Sequence, residues 1–187
     1  GESKGPSSNS IEYYGQFLLF FLEPYELKDL SLCGHSMGGL IALDMVLNHN
    51  FAAKELILVN SIYPTRVADA LLAKAKMGNG GAANFIIKYG LYRRLLGMRN
   101  AFSEADDLVM LDDLDACNNY ELDLNDIKNV EIPISIILGS KDRLVDLKAV
   151  ENFTDIVPSQ TYTMDEVGHF SFFEDPVELS RLISKIV

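Results

Sequence analysis

Leu30-Ser31-Leu32-Cys33-Gly34-His35-Ser36-Met37-Gly38-Gly39-Leu40 is the stretch on which the reading of this chain turns. Its centre, Gly34-His35-Ser36-Met37-Gly38, fits G-x-S-x-G, the nucleophile-elbow pattern: a sharp strand-to-helix turn that lifts a serine hydroxyl above the end of a sheet. Glycines two positions either side of the serine leave room where side chains would collide with neighbouring backbone. Matches to so short a pattern arise by chance, and the flanks are what sharpen this one. Leu30, Leu32 and Cys33 enter the turn as a buried strand would, with Cys33 read as a small buried apolar residue. Beyond it Leu40, Leu43 and Leu47 recur at helical spacing, and Gly38-Gly39 let that helix pack close to the sheet. Ser36 is therefore read as a nucleophile.

A serine hydroxyl is a weak nucleophile and needs an adjacent base that is itself oriented by an acid. The chain has three histidines, so the base follows by elimination. His35 lies inside the turn, where its side chain is expected to point away from the hydroxyl of the next residue. His49, in Asn48-His49-Asn50, sits at a helix end and reads as a capping or surface residue. His169 follows the last apolar run on a loop expected to reach the same sheet edge as Ser36, and is assigned as the base. For the acid, Asp142 in Gly139-Ser140-Lys141-Asp142 directly follows an apolar strand, at the strand end where parallel sheets bind ligands. Asp146 reads instead as a helix N-cap, Asp165 is too close to His169 to turn back onto its ring, and Asp175 precedes Pro176 at the start of the last helix.

The remaining composition bounds the class. A length of 187 residues supports one domain with room for an insertion. A net charge of −11 makes nucleic acid and anionic membranes poor partners. The longest purely apolar run, residues 17–22, is too short to span a bilayer. Two distant cysteines form no disulfide framework and no metal-ligand set, which fits a reducing, cytoplasmic setting.

Ser10 is a plausible N-cap for a helix whose apolar face is expected to be Tyr14, Phe17, Leu18, Phe21 and Leu22, ending near Glu23-Pro24. Four apolar runs, 30–33, 56–60, 134–138 and 161–164, read as buried parallel strands. Helical stretches 37–48, 145–153 and 177–186 alternate with them, which argues for an α/β architecture with a parallel sheet. Residues 63–130 break this rhythm with a mostly helical pattern and no convincing strand. That stretch has a basic half (Arg66 to Arg99) and then an acidic half (Glu104 to Asp126), expected to be solvated helix faces that pair loosely; the other reading is a surface for a charged substrate. Gly78-Asn79-Gly80-Gly81 marks a break between two of its helices, and is not a phosphate loop because no strand leads into it.

Taken together, Gly-His-Ser-Met-Gly-Gly at the turn, Leu-Gly-Ser-Lys-Asp at the acid, and Gly-His-Phe followed by Glu-Asp-Pro at the base resemble the α/β-hydrolase superfamily. The likeness is to its esterase-like and C–C-hydrolase-like branch with a helical cap, and the chain order Ser36, Asp142, His169 is that of the superfamily. The resemblance implies a core over residues 1–62 and 131–187, with a cap over 63–130 inserted between the second and third strands seen here. It implies half of an oxyanion hole from the backbone N–H of Met37, and position around the serine leads to the expectation that the cap with Met37, Ile62, Tyr63 and Phe170 sets substrate choice. It implies a serine hydrolase of small acyl or ester substrates that needs no metal or cofactor. C–C bond hydrolysis, acyl transfer, cofactor-free haloperoxidase chemistry or a non-catalytic binding role remain on the same residues. The chain opens on Gly1-Glu2-Ser3, which resembles the end of a Gly-x-Gly-x-Ser segment. The resemblance therefore leads to the expectation of a truncated chain: four strands and the loop giving the second oxyanion donor would precede residue 1. The strand at 30–33 would then be an open apolar edge, leaving an isolated fragment poorly soluble and weakly active.

Overall fold

The structure, a computed structural model, describes residues 5–49, 51–93, 102, 106–123, 127 and 130–187. The opening Gly1-Glu2-Ser3 lies outside the described residues. Four strands, β1 (Leu30–His35), β2 (Ala53–Val59), β3 (Ile134–Gly139) and β4 (Gln160–Met164), form one sheet in the order β1-β2-β3-β4. Every pairing is parallel, as near-continuous Leu/Ile/Val runs demand when both faces are covered. The expected runs 30–33, 134–138 and 161–164 sit inside these strands, while 56–60 overruns β2 by its last residue, Asn60. β1 is an edge among the described residues, and there the reading of Cys33 is corrected: its side chain is exposed. Among the described residues only one flank of β1 has a neighbouring strand to cover it.

The strands divide their side chains by alternation. Leu56, Leu58, Ile134 and Ile136 face one layer, and Ile57, Val59 and Ile137 face the other. On the first face lie helices α1 (Ile11–Leu22), α2 (Met37–Leu47) and α6 (Leu147–Ile156), which contribute Ile11, Leu40, Leu43 and Phe153. On the second lies α8 (Pro176–Ile186), through Leu179 and Leu182. Capping follows the sequence: Ser10 accepts from Tyr13 N, Asp146 from Lys148 N and Asp175 from Glu178 N, each answering a donor the first helical turn leaves open.

The buried face of α1 differs from expectation. Ile11 and Gly15 are buried, with Tyr14, Leu19 and Leu22 packed on the core, while Phe17 and Phe21 are 55% and 53% exposed. This helix is apolar almost all round, so periodicity alone could not select its inner stripe.

Between β2 and β3, the described part of residues 63–130 holds three helices, α3 (Asp69–Met77), α4 (Gly81–Gly90) and α5 (Asp107–Asn119), and no strand. Leu71, Ala75 and Ala82, with Phe85, Ile86 and Leu114, make a small core of their own. The break at 78–81 is a tight turn: Gly78, Asn79 and Gly80 all have positive φ, and Asp107 accepts from Gly80 N at 3.1 Å. The expected loose pairing of basic with acidic helix faces is not what the described residues show. Asp113 accepts from Tyr14 OH at 2.9 Å and Asp112 from Ser7, both in or before α1. Arg94, Arg99, Glu104 and Asp126 lie outside the described residues.

Candidate active site

The register brings the strand ends level. His35 pairs with Val59, Val59 with Ile137, and Gly139 with Met164, so the residues that follow each strand emerge at one edge of the sheet. Ser36 leaves β1 with φ 51° and ψ −123° and immediately starts α2. That is a left-handed backbone on a residue with a side chain, a strain that persists only where its surroundings enforce it. Its N–H donates to Val59 O at 3.1 Å, and its carbonyl accepts from Gly39 N at 2.9 Å and Ser61 Oγ at 2.7 Å. These bonds fix the turn on both sides. The glycines around it are unequal. A Cβ on Gly34 would lie 2.2 Å from Gly38 O and one on Gly39 would lie 2.3 Å from Ser61 Oγ, whereas Gly38 faces open space. The crowding expected at Gly38 thus belongs to Gly39.

Asp142 follows β3 and is held by every lone-pair direction it has. Oδ1 accepts from Leu144 N at 2.8 Å and Val145 N at 3.2 Å, while Oδ2 accepts from Asn60 Nδ2 at 2.9 Å and faces His169 Nδ1 at 2.9 Å. Burial pushes its carboxyl up, but the hydrogen bond and charge of His169, with the bonds from Leu144 and Asn60, outweigh that and hold it below the ordinary carboxylate range. An ionised Asp142 fixes the imidazole with Nδ1–H donating, which leaves Nε2 as the basic nitrogen. The side chains of the pair are only 7% and 1% exposed, so their interaction is little screened by solvent.

His169 is positioned from behind as well. Its N–H donates to Gly90 O at 2.6 Å, and Gly168 N donates to Glu174 Oε1 at 3.0 Å. Glu174, buried in the short helix α7 (Ser171–Glu174), also accepts from Tyr92 N at 3.0 Å and Arg93 N at 2.9 Å on its other oxygen. One carboxylate therefore joins the histidine loop to the segment after α4.

His35 does not point away from the site. Its Nε2–H donates to the carbonyl of His169 at 2.7 Å, and the two rings lie 4.8 Å apart. Burial and the neighbouring His169 push its pKa down to about 4, so it is neutral at pH 7 and serves as a donor. His49 instead lies 3.2 Å from the buried Asp44, within ion-pair distance and without a hydrogen bond to it. Asp165 is exposed and accepts from Ser140 Oγ at 3.2 Å.

A cavity of about 390 Å³ opens over this edge and is walled in part by Ser36, Met37, Asn60, Ile62, His169 and Phe170. Residues of α3, α4 and α5, including Leu71, Phe85 and Leu114, close other parts of its wall. Tyr63, expected in the pocket, is not part of the wall. Its hydroxyl is turned to Leu122, donating to the carbonyl at 2.9 Å and accepting from the N–H at 2.6 Å, with its ring against Tyr120. Met37 N is the first backbone donor of α2, one of the N–H groups that a helix leaves unmatched at its start.

The sequence pattern assigns no role to Asn60 or Ser171, and none to Glu174 beyond its place in Glu-Asp-Pro. Asn60 sits at φ 45° and ties Asp142 to Gly168 O at 3.3 Å and to Ser171 Oγ. Its signal was available: a polar residue directly after the apolar run of β2, the same pattern that marked Asp142 after β3.

Comparison with known proteins agrees with this architecture. The chain is 24% identical to a pimeloyl-[acyl-carrier protein] methyl ester esterase from Aromatoleum aromaticum, over 99% of the chain and 82% of that protein. It is 23% identical to the carbamate hydrolase RutD of Pseudomonas syringae, over 95% of the chain and 75% of that protein. Its fold superposes on the esterase EaEST from Exiguobacterium antarcticum with a TM-score of 0.88 at 18% identity, covering 100% of the chain and 77% of that structure. The enol-lactonase from Burkholderia xenovorans gives 0.84 at 16% identity, covering 99% and 76%. No helix among the described residues is long and apolar enough to cross a membrane. The family model described as "Alpha/beta hydrolase family" matches residues 6–182, and with its parallel sheet and strand-end site this chain belongs to that family.

Proposed function

We propose that this chain carries the machinery of a serine hydrolase acting on carboxylic esters, with Ser36 as nucleophile, His169 as general base and acid, and Asp142 as its orienting carboxylate. The observation that carries the reading is the buried His169–Asp142 pair, whose histidine stands on the wall of the cavity into which the strained turn of Ser36 opens. Relatives named for methyl ester and carbamate hydrolysis support acyl chemistry of this kind. In the proposed cycle His169 Nε2 takes the Ser36 proton as Oγ attacks the substrate carbonyl carbon. The C=O pair moves onto oxygen, where the Met37 N–H is the donor available for the developing charge. The tetrahedral species collapses by breaking the bond to the alcohol oxygen, which leaves with the proton from His169. Water, deprotonated by His169, then attacks the acyl-serine carbonyl and releases the acid and the serine hydroxyl.

Within the same proposal, residues 63–130 act as a lid. Their helices share a small core of their own and close part of the cavity wall, so they are placed to select substrate while the sheet edge performs attack.

The test is labelling by a fluorophosphonate probe followed by peptide mapping. Labelling at Ser36 is expected, to be abolished in Ser36→Ala, with ester turnover falling by about 10⁴ or more in the same variant. Turnover that survives Ser36→Ala would exclude the serine mechanism.

A further inference from the structure

The cavity is mostly apolar, but among the described residues its wall carries two permanent cations, Arg66 on the loop after β2 and Arg143 directly after Asp142. In a chain with 27 acidic and 16 basic side chains, most cations at the surface would be expected to find a carboxylate. These do not. Among the described residues neither arginine lies within 4.0 Å of a carboxylate; Arg143 donates one Nη2–H to Lys88 O at 3.0 Å, and its guanidinium stacks 5.5 Å from the centre of the Tyr89 ring. Lys88 Nζ lies over the same ring at 5.1 Å. Among the described residues the cavity wall includes one carboxylate, that of Asp146, and it accepts from Lys148 N at 2.9 Å as the cap of α6. Held by the carbonyl and the ring, the Arg143 guanidinium keeps further N–H donors, in the fork geometry that matches a carboxylate.

Resting on the esterase reading above, we propose that the site selects esters that carry a second, anionic group, a carboxylate at the end of a short apolar chain remote from the scissile bond. The apolar walls take the chain, and Arg143, with Arg66 on the wall of the same cavity, takes the charge. Desolvating a carboxylate is costly without such partners, so a neutral pocket would reject it and this one does not.

The experiment compares two methyl esters of equal length, monomethyl hexanedioate and methyl hexanoate, which differ by a terminal carboxylate in place of a methyl group. The ratio of their kcat/KM values, anionic over neutral, is measured for the full chain and for the Arg66→Met, Arg143→Met double variant. It is expected to fall about tenfold in the variant, mainly through KM, and to fall in the unaltered chain when salt rises from 0.05 to about 0.5 M. A ratio unmoved by both changes overturns the proposal. Thermal unfolding with hexanedioate or hexanoate added reads binding apart from turnover: hexanedioate is expected to raise the Tm of the unaltered chain more than hexanoate does. If neither ester is cleaved and Ser36 resists the fluorophosphonate probe, the hydrolase reading fails. An equal effect of the two acids on Tm then overturns the anion site as well.

Discussion

At the scale of single residues, the site is a set of side chains whose charge states were chosen by their neighbours. His35 is the clearest case. Its place inside the turn suggested a bystander pointing away from the serine hydroxyl; its ring donates to the backbone of His169, a contact between residues 134 apart in sequence. Its pKa of about 4 in the folded protein lies below the 6.5 expected when unfolded, so the unfolded chain binds the extra proton between those values. Stability from this group is complete above about pH 6.5 and is lost as pH falls toward 4, by about 3 kcal/mol at the limit. Asp142, whose carboxyl is held low, loses its contribution only at still lower pH, below the ordinary carboxylate value of about 3.9. Replacing His35 by Gln keeps an N–H for the His169 carbonyl and removes the titration. Urea unfolding at pH 7.5 and 5 should therefore show a smaller loss for His35→Gln than for the unaltered chain; an equal loss would place the titration elsewhere.

At the scale of elements, the turn that carries Ser36 separates two glycines that the motif treats alike. A methyl on Gly34 has the carbonyl of Gly38 at 2.2 Å and no flexible atom to displace. Gly34→Ala should cost several kcal/mol, on the order of other enforced backbone shifts in a packed core. Gly38→Ala meets open space within α2 and should be neutral or stabilising by up to about 1 kcal/mol from helix propensity. Chemical denaturation of the two variants measures the contrast. The histidine loop has its own fastening in Glu174, whose two oxygens accept from Gly168, Tyr92 and Arg93 backbone N–H groups. Glu174→Gln turns an amide N–H₂ toward at least one of those donors and should cost about 2–3 kcal/mol. Its kcat should fall with stability, because the same bond holds the residue before His169. A Tm within a degree of the parent would show that the three donors find water instead.

Strands and helices around the sheet were legible because both faces of a parallel sheet are covered, which leaves short continuous apolar runs bounded by turns. Chain order and a count of three histidines were enough to nominate Ser36, Asp142 and His169. What the sequence hid was of two kinds. Where a segment is apolar on every side, as in α1, nothing in its pattern says which face meets the core, and the inner stripe fell one residue from expectation. Where a role is set by a long-range hydrogen bond, as for Tyr63 and Glu174, residue type alone fits surface and core equally well. Cys33 shows the same limit from the other side, since an apolar run cannot report that its strand has, among the described residues, a neighbour on one flank only.

On the scale of the whole molecule, the question is how residues 63–130 are fastened to the sheet. The described contacts run through polar groups as well as through apolar packing. Tyr120, just beyond α5, donates to Asp44 Oδ1 of α2 at 3.1 Å, while Asn48 Nδ2 reaches the same oxygen at 2.6 Å. Asp44 is fully buried, and Gly15 of α1 passes so near that a Cβ there would lie 2.5 Å from Asp44 Oδ2. Burial and the Asp44 charge push the Tyr120 hydroxyl above its ordinary range, so it stays protonated and able to donate. Tyr14 and Ser7 meet Asp113 and Asp112 of α5 beside this junction, so α1, α2 and α5 share one polar seam. Tyr120→Phe preserves the ring contact with Tyr63 and removes only the donor to a buried carboxylate. It should cost about 1–3 kcal/mol in urea unfolding. If the segment works as a lid whose seat includes this seam, the same variant should raise KM for esters long enough to touch α3 and α4. It should leave kcat for a short activated acetate within about twofold, because the Asp142–His169 pair lies on the other strands. Equal losses on short and long esters would instead mean that Tyr120 supports the fold as a whole and that the seam has no part in seating a lid.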